Sequence, residues 1–384
     1  MSVISAMRSK LPTTGVSIFT TMSRLSEEHG AINLSQGFPD FDCDPALVET
    51  VAKYMRGGFN QYAPMPGVMT LREAISDKMN QLYGRRYDPA TEVLITSGAT
   101  EALFSTICAL VHPGDEVILF QPAYDSYLPA VQLSGGEARF VTLRAPDYRI
   151  DWDEVRAAIS PRTRVIVLNS PHNPTGTILT PDDLAELTLV LDMTDAFVVA
   201  DEVYEHIVFD GARHESLARY PSIADRVVVI SSFGKTYHTT GWKVGYAMAP
   251  ARLTAEVQKV HQFVTFAVNT PVQHAYAEVV RQDPLCASLA PFYQRKRDLF
   301  LSLISGSRFR PLPCRGTYFQ LLDYSSISDQ DDGTFALELI RQHGVAAIPL
   351  SPFMREVGGG GVLRFCFAKR DETLERAAER LARV

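Results

Sequence analysis

The sequence is poor in cysteine and shows no pattern in the few it has. Its five (Cys43, Cys108, Cys286, Cys314 and Cys366) are scattered and odd in number, with no Cys-x-x-Cys pair. That argues against a disulfide framework or a thiolate zinc site and for a reducing compartment. No histidine–cysteine spacing suggests a metal. A long basic run is also missing: Lys+Arg number 37 against 44 Asp+Glu, a formal net charge of -7. Nucleic acid and anionic membranes are therefore not expected partners. The N-terminal "MSVISAMRSKLPTTGVSIF" holds no apolar segment of signal-peptide length. The most apolar stretch, "LAELTLVLDMTDAFVVADEVY", is broken by Asp192, Asp195, Asp201 and Glu202 and does not read as a membrane span. A cytoplasmic protein is the expectation. Low-complexity sequence is confined to the glycines 358–361, read as a mobile loop without a cofactor role.

What is present is 46% hydrophobic and 21% charged over 384 residues, as in globular proteins at large. The length predicts two domains, or one large domain with an appendage. From about residue 90 to 250 one pattern repeats: a short apolar run, a turn, a helical period. "EVLIT" (92–96) precedes "SGATEALFSTICALV", read as a helix, and "DEVILF" (115–120), "RVIVLN" (164–169), "AFVVA" (196–200) and "RVVVI" (226–230) continue the series. Runs that are apolar throughout predict strands covered on both faces. Helices between them predict crossovers in a mainly parallel sheet. Thr180 and Asp183 predict a capping box around Pro181, with Leu184, Leu187 and Leu191 as that helix's buried stripe. The C-terminal third changes character. "GTYFQLL" and "VLRFCFA" predict strands of a separate sheet; "TFALELIRQHG", ending at Gly344, and the segment from Asp371 predict helices.

In an open parallel sheet, ligands bind beyond the carboxyl ends of the strands. After "EVLIT" comes Ser97-Gly98-Ala99-Thr100-Glu101, a small-residue turn opening a helix and so a natural anion site. After "RVIVLN" comes "SPHNPTG" (170–176), after "AFVVA" Asp201-Glu202-Val203-Tyr204, and after "RVVVI" Ser231, Ser232 and Lys235. Gly234-Lys235-Thr236 has the look of a P-loop, but that motif needs a glycine five positions before its Gly-Lys, and Val229 stands there. A β-branched residue cannot take the positive φ of a phosphate nest. The remaining reading is pyridoxal 5′-phosphate chemistry: a lysine for its aldehyde, an aspartate for its pyridine nitrogen, a tyrosine and an asparagine for its phenolic oxygen, and an anion site for its phosphate.

On these residues, and on "INLSQGFPDF" (32–41), "NQYAPMPG" (60–67), "SSFGKTYHTTGWKVGY" and "LRFCFAK" (363–369), the chain resembles the fold-type-I, class I/II aminotransferases. Within them it is similar to the methionine aminotransferases and the kynurenine aminotransferase/glutamine transaminase K group. The resemblance implies a three-layer α/β/α large domain (45–280) and a smaller α/β domain (1–44 with 281–384). It implies ping-pong transamination in a homodimer with shared active sites. Lys235 would be the Schiff-base lysine and proton shuttle, Asp201 the pyridine-nitrogen partner and Tyr204 the phenolic-oxygen partner. Asn173 would bridge that oxygen and the substrate carboxylate, and Tyr124 would stack on the ring, with Tyr127 its nearest rival. Gly98, Ala99, Thr100 and Ser232 would line the phosphate. Arg364 would clamp the substrate carboxylate, helped by the backbone at Gly37. Tyr62 would reach the neighbouring subunit's phosphate. Ile18, Phe19, Tyr62 and Phe266 would shape an apolar side-chain pocket favouring methionine. Many members carry an arginine eight residues after the lysine, where this chain has Lys243, a point charge in place of a planar fork.

Several residues have blander readings. Asp201-Glu202 could simply cap a turn, Lys235 could be solvated, and Arg364 could be an edge-strand charge that blocks pairing. Tyr62 could be a surface aromatic, and His172 and His238 read as packing or rim residues. Two other functions are compatible with the motifs. One is a kynurenine/glutamine aminotransferase with cysteine-conjugate β-lyase activity. The other is a non-catalytic, aminotransferase-like ligand-sensing domain, which would be expected behind a basic DNA-binding domain; the sequence opens almost directly on the family-like N-terminal segment.

Overall fold

The predicted apolar runs all become strands of one seven-stranded sheet. A computed structural model describes residues 8–284, 286–355 and 360–384. The glycine run 358–361 lies partly outside them; Gly360 and Gly361, inside, take positive φ (61° and 74°). In chain order the strands are β1 (Ile32–Asn33), β2 (Val93–Thr96), β3 (Glu116–Gln121), β4 (Glu137–Thr142), β5 (Thr163–Asn169), β6 (Phe197–Asp201), β7 (Val227–Ser232) and β8 (Gly245–Met248). They continue with β9 (Arg310–Pro311), β10 (Phe319–Asp323), β11 (Val345–Ala346), β12 (Ile348–Pro349) and β13 (Val362–Cys366). The large sheet has the order β2-β8-β7-β6-β5-β3-β4.

The pairs β3–β4, β3–β5, β5–β6 and β6–β7 are parallel, while β8 runs antiparallel to both its neighbours. Alternate residues of each strand feed two separate cores. Ile118, Ile166, Val198 and Val229 face the helices Met69–Tyr83, Pro181–Asp192 and Thr270–Gln282. Val117, Val165, Val199 and Val228 face the helices Gly98–Leu110 and Ala251–Val264. This is the predicted α/β/α layering, and it explains why the strands are apolar throughout. The capping box at Thr180 forms as predicted, with Leu184, Leu187 and Leu191 buried. A second sheet, β12-β13-β10-β9, is antiparallel. In it β13 lies between β12 and β10 rather than at an edge, so Arg364 does not guard an unpaired strand.

Two strands of the large sheet were not foreseen, nor were the two-residue strands β1, β9, β11 and β12. β4 is one of the sheet's two outer strands, and its exposed and covered residues alternate. β8 has only four residues and starts at a glycine. Its reversal matters: the parallel strands end at one edge of the sheet, and β8 begins there. Thr96, Gly245 and Ser232 sit in one row of that edge.

A Cβ on Gly245 would lie 2.7 Å from the Ala99 nitrogen and 2.8 Å from the Ser231 carbonyl oxygen. Backbone crowds this position on both sides. Gly245→Ala is therefore expected to cost about 1–3 kcal/mol through overpacking. It should lower the urea midpoint without changing the slope; an unaltered midpoint would mean that the row can part without cost.

Candidate active site

A cavity of about 330 Å³ opens over the edge where the parallel strands end, within the range of small-molecule sites. Phe19, Gly37, Gly98, Ala99, Thr100, Tyr124, Asn173, Asp201, Tyr204, Ser232, Lys235, Lys243 and Arg364 line it. Ile18, Tyr62 and Phe266 stand outside their own chain's cavity. Ile18 opens the helix Ile18–Glu28 and packs on the core. Tyr62, 83% exposed, packs edge-on against Phe266 at 5.5 Å. His172 and His238 do not line the cavity either. His172 is buried with Nδ1 2.8 Å from Thr175 Oγ1, and His238 packs against Phe41.

One end of the cavity is built for an anion. The helix Gly98–Leu110 presents its N-terminus there, with unsatisfied N–H groups and a favourable dipole. Gly98 takes φ +72°, and a Cβ on it would lie 3.3 Å from Lys243 Nζ; the bare glycine leaves room for the ammonium beside the helix end. Lys243 reaches this place because β8 is reversed. Ser232 caps the short helix Phe233–Thr236, its Oγ accepting from the Gly234 N–H at 3.2 Å.

Asp201 sits at the end of β6, buried, and its carboxylate accepts from the Tyr127 hydroxyl at 2.5 Å. Burial raises its pKa to about 6 despite that hydrogen bond. Tyr124 lines the cavity, while Tyr127 stands behind it, edge to face at 5.7 Å; the two rivals have separate places. Lys235, half-buried, donates from Nζ to the Gly37 carbonyl (3.1 Å) and to the Tyr318 oxygen (2.9 Å). Burial lowers its pKa to about 8, with Arg364 and Lys243 pressing the same way.

Arg364 is fully buried, far from the bland edge-strand reading. It donates to Asn173 Oδ1 and to the Ser35 carbonyl, each at 2.8 Å. Its guanidinium lies 3.9 Å from the Phe319 ring centroid. Nε has no partner, and no carboxylate lies within ion-pairing distance among the described residues. A buried guanidinium with two of its five donors engaged and no anion is an unfinished recognition site.

Tyr318 and Phe319 are site neighbours that sequence reasoning did not assign, and Tyr127, considered only as a rival ring stacker, instead holds Asp201. Tyr318 and Phe319 lie in "GTYFQLL", whose apolar character marks a strand and nothing more; only its contact with the "SQGFPDF" loop reveals a site.

Comparison with known proteins agrees with this geometry. The family Aminotransferase class I and II matches residues 29–381. The chain belongs to the class I and II aminotransferases. It is 50% identical to the methionine aminotransferase of Escherichia coli (strain K12) over 98% of each chain. The crystal structure of an E. coli protein identified as a methionine aminotransferase superposes with a TM-score of 0.96, over 98% of this chain and 99% of that one, also at 50% identity. A probable N-succinyldiaminopimelate aminotransferase of Mycobacterium tuberculosis is 40% identical over 97% of each chain. A kynurenine–oxoglutarate transaminase of Dictyostelium discoideum is 34% identical over 96% of this chain and 94% of that one. The aminotransferase fold is thus of type I, as the resemblance implied, and among the described residues no helix is long and apolar enough to cross a membrane.

The raised pKa of Asp201 has a thermodynamic consequence in the cofactor-free enzyme. The folded chain holds a proton that the unfolded chain releases near the ordinary value of 3.8. Stability therefore falls as pH rises from about 4 to about 6 and stays reduced above it. Asp201→Asn keeps an acceptor for Tyr127 and removes this penalty. The cofactor-free variant should be more stable than the parent by about 2–3 kcal/mol at pH 7, and equal to it at pH 4. Urea titrations at both values check this; equal stabilities at pH 7 would refute it.

Proposed function

We propose that this aminotransferase uses pyridoxal 5′-phosphate to move the amino group of L-methionine, or of a similar apolar or aromatic L-amino acid, to a 2-oxo acid. The observation that carries the reading is Arg364: a buried guanidinium without an anion, beside an amine whose pKa burial has lowered. An amino acid substrate supplies what that pair lacks, a carboxylate and a proton on the adjacent carbon.

The cavity fits the cofactor. The helix N-terminus at Gly98, Ala99 and Thr100, with Ser232 and Lys243, would hold the phosphate. Asp201 would hold the pyridine nitrogen, Tyr204 and Asn173 the phenolic oxygen, and Tyr124 the ring face. Burial holds the Asp201 pKa up at about 6 even with the Lys235 amine nearby; a protonated pyridine beside it would restore the carboxylate's charge. When bound, pyridoxal 5′-phosphate supplies the aldehyde that accepts the amino group, the ring that withdraws electrons from the substrate Cα, and a store for the amino group between the two half-reactions. Arg364 grips the carboxylate and so fixes which Cα bond faces Lys235. Lys235 Nζ, with a pKa near 8, is in part the free amine at neutral pH and takes the α-proton. It then holds that proton as an ammonium against the Gly37 carbonyl and the Tyr318 oxygen before returning it.

Substrate class follows from what lines the rest of the cavity. Phe19, Phe38 and Phe319 present apolar surface, and the basic lining residues are Lys235, Lys243 and Arg364. Once the lysine reacts and Lys243 serves the phosphate, no cationic lining side chain among the described residues is left for the distal carboxylate of aspartate. The E. coli relative is a methionine aminotransferase, which supports methionine as the first choice. Tyr62 and Phe266, exposed and paired, would reach into a second copy's cavity, making a homodimer with shared sites. Met55 lines the same shallow groove as Tyr62 and extends that apolar surface. Residues 45–280 would form the cofactor-binding domain, and 1–44 with 281–384 the smaller one. The scattered cysteines support a cytoplasmic setting.

The yellow protein is expected to lose its cofactor absorbance on addition of L-methionine alone and to regain it with a 2-oxo acid. Bleaching by kynurenine or glutamine but not by methionine would move the substrate; no bleaching by any amino acid would end the reading. Lys235→Ala should abolish turnover while cofactor still binds non-covalently. Arg364→Lys, which loses the planar fork, should lower kcat/KM by about 100-fold or more; an unchanged value would remove Arg364 from substrate binding.

A further inference from the structure

Tyr318, immediately ahead of β10, is fully buried, and its ring is held edge-on by Tyr204 at 5.2 Å and tilted against Tyr293 at 5.5 Å. Its hydroxyl donates to the Gly37 carbonyl oxygen at 2.5 Å. A phenol has one proton. With that proton engaged at Gly37, the oxygen faces Lys235 Nζ, 2.9 Å away, as an acceptor. The Gly37 carbonyl takes a second bond from Nζ at 3.1 Å. A neutral primary amine has two N–H bonds and one lone pair. The two acceptor oxygens lie 2.5 Å apart on one side of Nζ, so donating to them turns the lone pair away from that side.

The two acceptors are themselves held in register with the carboxylate site. Arg364 donates to the Ser35 carbonyl at 2.8 Å, Lys369 donates to the Phe38 carbonyl at 2.8 Å, the Cys366 N–H donates to the Leu34 carbonyl at 2.8 Å, and the Phe367 N–H donates to the Tyr318 carbonyl at 3.0 Å. β13 and the residues just after it therefore set both the carboxylate grip and the loop that carries Gly37. We propose that Tyr318 is a positioning residue for Lys235: with the Gly37 carbonyl it draws the N–H bonds of the free amine to one side and so turns the lone pair toward the substrate carbon next to the carboxylate gripped by Arg364. The substrate half of this statement rests on the aminotransferase reading above; the arrangement at Nζ does not.

Tyr318→Phe removes the oxygen and keeps the ring. Asp201, Lys243, Arg364, Cys366 and the Tyr204 phenol also face the amine, and the variant retains all of them. An ammonium uses an acceptor more strongly than an amine does, so losing one acceptor lowers the pKa of Lys235. In the full-length protein freed of cofactor, carbamoylation of Lys235 by cyanate, followed by peptide mapping across pH, should have its midpoint near 8 in the parent. In Tyr318→Phe the midpoint should fall, raising the rate at pH 7 about threefold or more. In the loaded enzyme, kcat with L-methionine should fall about 10–100-fold while KM stays within about twofold. More free amine together with slower turnover is a pairing that loosened structure would not produce. An unshifted midpoint, or an unchanged kcat, overturns the proposal. A shifted midpoint in a protein whose parent does not turn over any amino acid upholds the Tyr318–Lys235 contact and overturns the aminotransferase reading instead. If Tyr318→Phe melts well below the parent, Tyr318→Met, also without the oxygen, carries the same readouts.

Discussion

Three groups that water would stabilise are shut together in one cavity: the amine of Lys235, the carboxyl of Asp201 and the guanidinium of Arg364. Burial pushes each toward its neutral form. Left free to meet, they would pair and lose their reactivity. The fold prevents this by giving each a neutral partner first. Asp201 is engaged by Tyr127, Arg364 by Asn173 and the Ser35 carbonyl, and Lys235 by Tyr318 and the Gly37 carbonyl. Hydrogen bonds to neutral groups hold the geometry and leave the charge unmatched, so each group stays open to a ligand of opposite sign. The energy that maintains this strained set comes from the sheet beneath, whose strands bury alternate residues in two separate cores.

Assembling the set requires parts of the chain far apart in sequence. The carboxyl ends of β5, β6 and β7 supply Asn173, Asp201 and Lys235. The N-terminal segment 34–38 supplies the Gly37 carbonyl, and β13 supplies Arg364. The last two are fastened to each other through backbone carbonyls rather than through side-chain pairs. The bare Gly37 serves the same end: a Cβ there would lie 2.8 Å from the Phe319 ring, the ring on which Arg364 rests.

Much of this was legible in the sequence. Continuous apolar runs marked the buried strands, and the residues following them marked the site, because a doubly covered parallel sheet leaves only its strand ends for chemistry. β4 escaped because, unlike β2 at the other edge, its exposed and covered residues alternate. β8 escaped because a short glycine-led strand has no periodicity to detect, and with it went the reason that Lys243 arrives at the anion site. Tyr318 and Phe319, and the bond from Tyr127 to Asp201, escaped for another reason. Their roles depend on contacts across 83, 45 and 74 positions of chain, and an aromatic in an apolar run has no local signature of such a contact. Arg364, singled out on family resemblance, lines the cavity, while the competing edge-strand reading failed once β13 proved to be flanked on both sides.

The reversal of β8 also bears on how this chain can vary in length. Each parallel crossover leaves the site edge, crosses a face of the sheet and returns from the far edge, as an α-helix in every case but the β6–β7 connection (202–226) with its short 3-10 turns, so added residues can be absorbed where no ligand sits. The connection from β7 to β8 is different. It leaves and re-enters at the same edge, and Lys235 and Lys243 stand near its two ends with no helix-length detour between them. An insertion there has nowhere to go except into the cavity or out over its mouth. Of all the joints in the large sheet, this is the one whose length is set by the chemistry it spans.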